Sequence, residues 1–273
     1  MNKKDGKYMK VNIFKKLGAV ALVSLISTVA LFAFQFSPME QTFTPTGAGN
    51  TKTYTIVNDS ADTIAVQISA LTRTQDANGN EQNTPADAYF SIVPNKSIIP
   101  PQTSQIIRVQ YRGTSTVTRE MPFRIKAEQI LYSKGKAADD KSMFNFLYIF
   151  SSSAYVSPSK EVERVSLRKV AASEKTVTIT NEDGTQTENQ EETMAVTVSN
   201  IGTVHQKLIN AKFAVMDSKG NKVLLDDEAE LSGLTGSNIL AGRTVTYQIP
   251  WPTILSRDPG VTYRFTNIDY GNN

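Results

Sequence analysis

The chain contains no cysteine. That excludes a disulfide framework, a thiolate metal site and a thiol nucleophile. Histidine is almost as scarce: His205 is the single one, so a catalytic triad or a multi-histidine metal site would have to run through it. It follows Gly202 in a turn-like stretch and reads as a structural turn residue. The glycines stand singly at turns, with no phosphate-cradling loop among them. One carboxylate cluster, Asp226, Asp227, Glu228 and Glu230, lacks the regular oxygen spacing of a calcium loop and reads as a solvated segment. No enzyme site, cofactor or metal is expected. Without covalent cross-links, the 273 residues must be held by their cores alone, and 40% of them are hydrophobic.

The basic balance is local. Residues 1–34 carry six lysines against one acid, Asp5, a surplus larger than the +3 of the whole chain, so the remainder is weakly acidic. Nothing in that balance points to a nucleic-acid partner. The lysines precede an uncharged apolar run, residues 17–34 (LGAVALVSLISTVALFAF). A basic flank followed by such a run is an export signal. The preferred reading is a removed signal with a mature N-terminus between Leu31 and Phe36; a retained inner-membrane anchor is the alternative.

Beyond Phe36 no stretch sustains helical periodicity. Short β-branched and aromatic runs alternate with turn residues, which predicts an all-β fold. The runs are 54–57, 64–71, 106–111, 123–131 and 144–155, then 165–170, 176–180, 194–199, 208–216, 244–249 and 263–268. Asn58-Asp59-Ser60, Asn78-Gly79, Pro100-Pro101, Asp183-Gly184 and Lys219-Gly220-Asn221 supply turns. Two domains are expected, 36–156 and 163–271, joined by a short polar linker at 157–162 that contains Pro158. Residues 180–192 read as an acidic hairpin tip. Trp251 reads as an anchor of the second core, or alternatively as part of an exposed interaction surface.

Several segments together resemble the periplasmic chaperones of pilus assembly. They are YTIVNDSADTIAVQISALTRTQDANG, FSIVPNKSIIPPQTSQIIRVQYRG, MPFRIKAEQIL and MFNFLYIFSSSAYVSP, then VSNIGTVHQKLINAKF with LSGLTGSNILAGRTVTYQIPW. The last two are closest to the family's divergent, archaic branch. The resemblance implies two immunoglobulin-like β-sandwiches in an L-shaped arrangement, a periplasmic location, and transient complexes with pilus or fibre subunits and an outer-membrane usher. An exported immunoglobulin-like structural or adhesive protein is the rival reading.

Residues 143–155 stand out without the resemblance. Phe144, Phe146, Tyr148 and Phe150 alternate with Met143, Asn145, Leu147, Ile149 and Ser151, so both faces are largely apolar. One face can pack in a core, and the other needs a partner or a second covering layer. The resemblance assigns Phe144, Phe146, Tyr148 and Phe150 to the strand lent to the client, leaving Leu147 and Ile149 for the core. A free strand of this kind also invites self-association. The family holds its client's terminal carboxylate on two basic residues, and here Thr44 and Ser153 fall at those positions. Arg124, Lys126 and Lys160 are the candidate substitutes.

Overall fold

The computed structural model describes residues 34–131 and 147–270. The leader, its apolar run as far as Ala33, and Phe144 and Phe146 lie outside the described residues.

The first half contains β1 (Gln35–Ser37), β2 (Glu40–Phe43), β3 (Thr51–Asn58), β4 (Ile64–Thr72), β5 (Thr74–Gln75) and β6 (Glu81–Gln82). It continues with β7 (Phe90–Val93), β8 (Lys96–Ile99), β9 (Thr103–Tyr111), β10 (Met121–Ile130) and β11 (Ile149–Val156). Two sheets form, β1-β3-β9-β7 and β2-β11-β10-β4-β8. Period-two alternation puts Ile107, Val109 and Tyr111 of β9 inside and leaves Ile106 exposed. The chain changes sheets at Pro38: β1 pairs with β3, whereas β2 runs parallel to β11.

Aromatic rings fill the space between these sheets. Phe36 stacks on Tyr54 at 5.2 Å, and Phe90 meets Phe43, Tyr111 and Phe123 edge-on at 5.0–5.6 Å. Each buried ring contributes about 1.5–3 kcal/mol. Packing of this kind holds the half together without cross-links, since the chain has no cysteine.

The second half contains β12 (Val165–Thr180), β13 (Gln186–Asn200), β14 (Gln206–Lys207), β15 (Phe213–Asp217), β16 (Lys222–Leu225), β17 (Asn238–Ile239), β18 (Thr244–Pro250) and β19 (Tyr263–Phe265). The sheets β12-β13-β18 and β16-β15-β19 enclose a separate core that includes Val196, Val198, Phe213, Val215, Val245 and Ile249. Trp251 packs on its rim, with its Nε1 donating to the Leu255 carbonyl at 3.2 Å. The fold is thus all-β, two sandwiches of immunoglobulin type, and the helical segments among the described residues are the 3-10 turns Ala48–Asn50 and Asp87–Tyr89.

Two expectations change here. The separate runs 165–170 and 176–180 are one strand, because no proline or glycine interrupts residues 171–175. The hairpin tip is only Asn181 to Thr185; Gln186 to Glu192 pair with β12 and extend it as an acidic two-stranded arm. Arg257 braces the arm's root. It reaches Glu192 at 2.6 Å and Glu174 at 3.8 Å, two like charges directly opposite in register.

Each half ends a central strand with a buried asparagine that ties a turn. Asn58 donates to the carbonyls of Asp62 (2.8 Å) and Ile99 (3.0 Å), and its Oδ1 accepts the Ser60 N–H. Asn200 does the same with Val204 (2.8 Å), Ile239 (3.0 Å) and the Gly202 N–H. Gly202 has no room for a side chain, since a Cβ there would lie 2.2 Å from the Val162 carbonyl oxygen.

Candidate functional site

Strand β11 is bonded along its whole length to β10 on one side. On the other side β2 covers only Ser153 to Val156. The N–H groups of Ser153 and Ser157 go to the carbonyls of Met39 and Phe43. By the same alternation, the main-chain groups of Ile149 and Ser151 face outward beyond the end of β2, where no described strand pairs with them. Among the described residues, β11 is an open sheet edge here.

The side chains along this edge reverse the expected faces. Phe150 lies opposite Ala127 and, with Tyr148, packs half-buried against the first core, where Phe34 meets the Phe150 ring edge-on at 4.8 Å. Leu147 and Ile149 are instead 47% and 57% exposed. The register is the cause. Ile125, Ala127, Phe150, Ser152 and Ala154 share the inner face, so the odd-numbered residues of β11 must turn outward.

Toward the second half, the outward face of β11 becomes polar and buried. Ser153 lies opposite Arg124, whose Nη1 donates to its Oγ at 2.8 Å. Arg73, at the end of β4, approaches the same hydroxyl at 3.4 Å and donates to Tyr155 Oη at 2.6 Å. Both guanidinium groups are held by one carboxylate. Glu81 accepts from Arg124 Nε (2.8 Å) and Nη2 (2.6 Å) in the two-pronged manner, and from Arg73 Nε at 2.8 Å. Burial works to raise the Glu81 carboxyl, but hydrogen bonding to Arg124 and the charges of Arg73 and Arg124 outweigh it, holding it at about 2. Arg124 is raised in turn, chiefly by its bond to Glu81.

The structure therefore brings Ser153 and Arg124 together and adds Arg73 and Glu81, which the sequence analysis did not single out. The available signal was alternation: Gln67, Ser69, Leu71 and Arg73 follow one face of β4 into the Asn78-Gly79 hairpin that carries Glu81. Thr44 does not join them. Ser153 registers with Glu40, not Thr44. Four residues further on, roughly 13 Å along the strand direction, Thr44 closes a turn, its Oγ1 donating to the Thr46 carbonyl at 2.7 Å. Lys126 is on the same face as Arg124 but pairs with Glu128 at 2.7 Å. Lys160 has an exposed side chain and offers its carbonyl to Thr203.

The two halves meet beside this cluster. His205 stacks on Tyr155 with ring centroids 3.8 Å apart, and its Nδ1 lies 2.7 Å from the buried Glu120 carboxylate. Lys207 reaches Glu40 at 3.0 Å. The β5–β6 hairpin leans across the joint: Ala77 accepts the Thr246 N–H at 2.8 Å, and Gln75 donates to the Asn238 carbonyl at 2.6 Å while accepting the Leu240 N–H at 2.9 Å.

No family model matches this chain, and no curated protein matches it. Solved structures do. A structure of the class 5 fimbriae chaperone CfaA is similar at 13% identity and a TM-score of 0.50, over 86% of this chain and 92% of that one. A structure of the E. coli chaperone DraB is 16% identical over 81% and 85%, at 0.48. The pre-assembly complex of CsuC with CsuE, from the archaic chaperone-usher Csu pili of Acinetobacter baumannii, matches at 12% over 86% and 98%, at 0.49. The likeness to CfaA establishes a shared two-sandwich fold.

Proposed function

We propose that this protein is a periplasmic chaperone that caps incomplete β-sandwich subunits of a pilus or fibre and passes them to an outer-membrane usher. The observation that carries this reading is the open main-chain edge of β11 at Ile149 and Ser151, flanked by exposed Leu147 and Ile149. An exposed apolar edge is an aggregation hazard unless it has a use. Strand addition is that use: outward N–H and C=O groups supply affinity, and alternate side chains enter the client's groove. Tyr148 and Phe150, half-buried at the sandwich's rim, would continue the shared core into the client, with Phe144 and Phe146 extending the strand by sequence. In this reading the capping half is 36–156, and 163–271 forms the second wall of the cleft.

The fold shared with a fimbriae chaperone supports the reading. The test is co-expression of the exported chain with a β-rich secreted subunit encoded beside it, followed by size-exclusion chromatography. A stable one-to-one complex is expected. Co-elution of neither partner, or self-assembly of this chain alone, would favour the structural-protein reading.

A further inference from the structure

We infer that the arm formed by β12 and β13 joins two copies of this chain, edge to edge, through Thr176 to Thr180 of β12. Strand β18 stops at Pro250, opposite Thr193, so Gln186 to Glu192 and their partners on β12 project past the sandwich by roughly 20 Å. Those β13 residues are all exposed. A two-stranded ribbon standing alone in water is marginal, and further strands stabilise it. The root of the arm is held firmly: Arg257 also donates to the Ser173 carbonyl at 2.9 Å and lies over the Trp251 ring at 5.2 Å.

The two edges of the arm differ. The Asn181 N–H donates to the Thr185 carbonyl at 2.8 Å, which makes theirs a hydrogen-bonded pair. Alternation along the ladder then turns the main-chain groups of Thr176, Thr178 and Thr180 outward on β12, and those of Gln186, Glu188 and Gln190 outward on β13. Among the described residues, no strand pairs with either edge there. Residues 176–180 (TVTIT) carry no charge, whereas β13 carries Glu188, Glu191 and Glu192. Two β13 edges would set like charges side by side; two β12 edges would not. One register suits a second copy best. With Thr178 opposite its own copy, Val177 of each chain faces Ile179 of the other, on the face where Ile179 is 44% exposed. The same register brings Lys175 to the acidic turn of the other copy, Glu182 and Asp183. The partner is thus this chain itself in a two-fold pair, with the sandwiches at opposite ends of a four-stranded sheet. Both β11 edges stay free, so the closed pair is compatible with one-to-one capture of a subunit and differs from self-assembly through β11.

The test is sedimentation velocity on the full exported chain over a roughly hundredfold range of concentration. A monomer–dimer equilibrium is expected. Thr178→Pro deletes an outward N–H without removing a bond to β13, a change that an edge strand tolerates. It should weaken the dimer at least about tenfold. Glu188→Pro makes the same change directly opposite, on the acidic edge, and should leave the dimer within about twofold of the parent. Cross-linking checks the register in a chain with no cysteine of its own. Thr178→Cys puts thiols on two residues whose Cα atoms are about 5.5 Å apart, within disulfide reach, and oxidation should give a covalent dimer. Thr176→Cys leaves its two copies roughly 13 Å apart along the strands and should not cross-link. Should Thr178→Pro melt the arm itself, the two cysteine variants decide. A monomer at every concentration, a dimer that survives Thr178→Pro or is broken by Ile149→Lys, or cross-linking that does not favour Thr178→Cys would overturn the proposal, whether or not a subunit is captured.

Discussion

His205 is bound twice by Glu120: its main-chain N–H donates to the carboxylate at 3.0 Å, and its ring Nδ1 lies 2.7 Å and 2.8 Å from the two oxygens. For that contact to be favourable, Nδ1 must carry the proton. The Glu120 side chain is only 2% exposed, so a buried carboxylate of one half is satisfied by a turn of the other. Glu120→Ala leaves both donors without an acceptor and should cost about 1–3 kcal/mol. A melting curve should show the loss, and Glu120→Gln, which keeps one acceptor oxygen, should recover part of it. An unchanged Tm in the alanine variant would mean that the joint is held elsewhere.

The paired asparagines give a second prediction. Asn58 and Asn200 are almost wholly buried; Asn58 reaches three carbonyls and Asn200 two. Replacing either by alanine strands buried carbonyls and should destabilise its half by about 2–4 kcal/mol. Gly202→Ala should act with Asn200→Ala, since both disturb the turn that presents His205, and the double variant should fall short of additivity. Chemical denaturation of the three variants measures this.

Acid should weaken both halves. Glu81 is held at about 2 by its arginines, and Asp217 at about 2, chiefly by the Ser256 N–H. Both values lie below those of an unfolded chain. Their contributions are therefore complete above about pH 4.5 and are lost as pH falls through about 2. For Glu81, which solvent reaches, the contribution is about 1 kcal/mol after screening. The melting temperature should fall between about pH 4.5 and 2, less steeply in Glu81→Gln. Equal slopes would show that the arginine cluster adds no stability.

Where the sequence could be read and where it could not follows from the kind of signal. Turn chemistry was local and legible: Gly79, Gly184 and Gly220 all take positive φ at the turns their neighbours announced. The alternation in 106–111 likewise sets the inner face of β9. The faces of β11 were not legible, because apolar residues occupy both and only the register with Ala127 and Ile125 decides between them. The cluster of Arg73, Glu81 and Arg124 was hidden for another reason. Its members lie on three elements and up to 51 residues apart, and only hairpin geometry brings them together. Thr44 was misplaced because matching positions along the sequence does not fix the offset between parallel strands.

A pair of variants distinguishes an edge of β11 that receives a client from one that does not. Ile149→Lys changes an exposed side chain on the open edge and should leave the stability within about 0.5 kcal/mol of the parent. It should weaken capture of a co-expressed fibre subunit by at least about tenfold, through loss of ~1.5 kcal/mol or more of apolar burial. Phe150→Ala, on the inner face against Phe34, should lower stability by about 1–3 kcal/mol, less than for a fully buried ring. Melting curves and subunit co-purification on both variants give the answer. If Ile149→Lys captures the subunit as well as the parent does, the edge of β11 is not the client-binding strand.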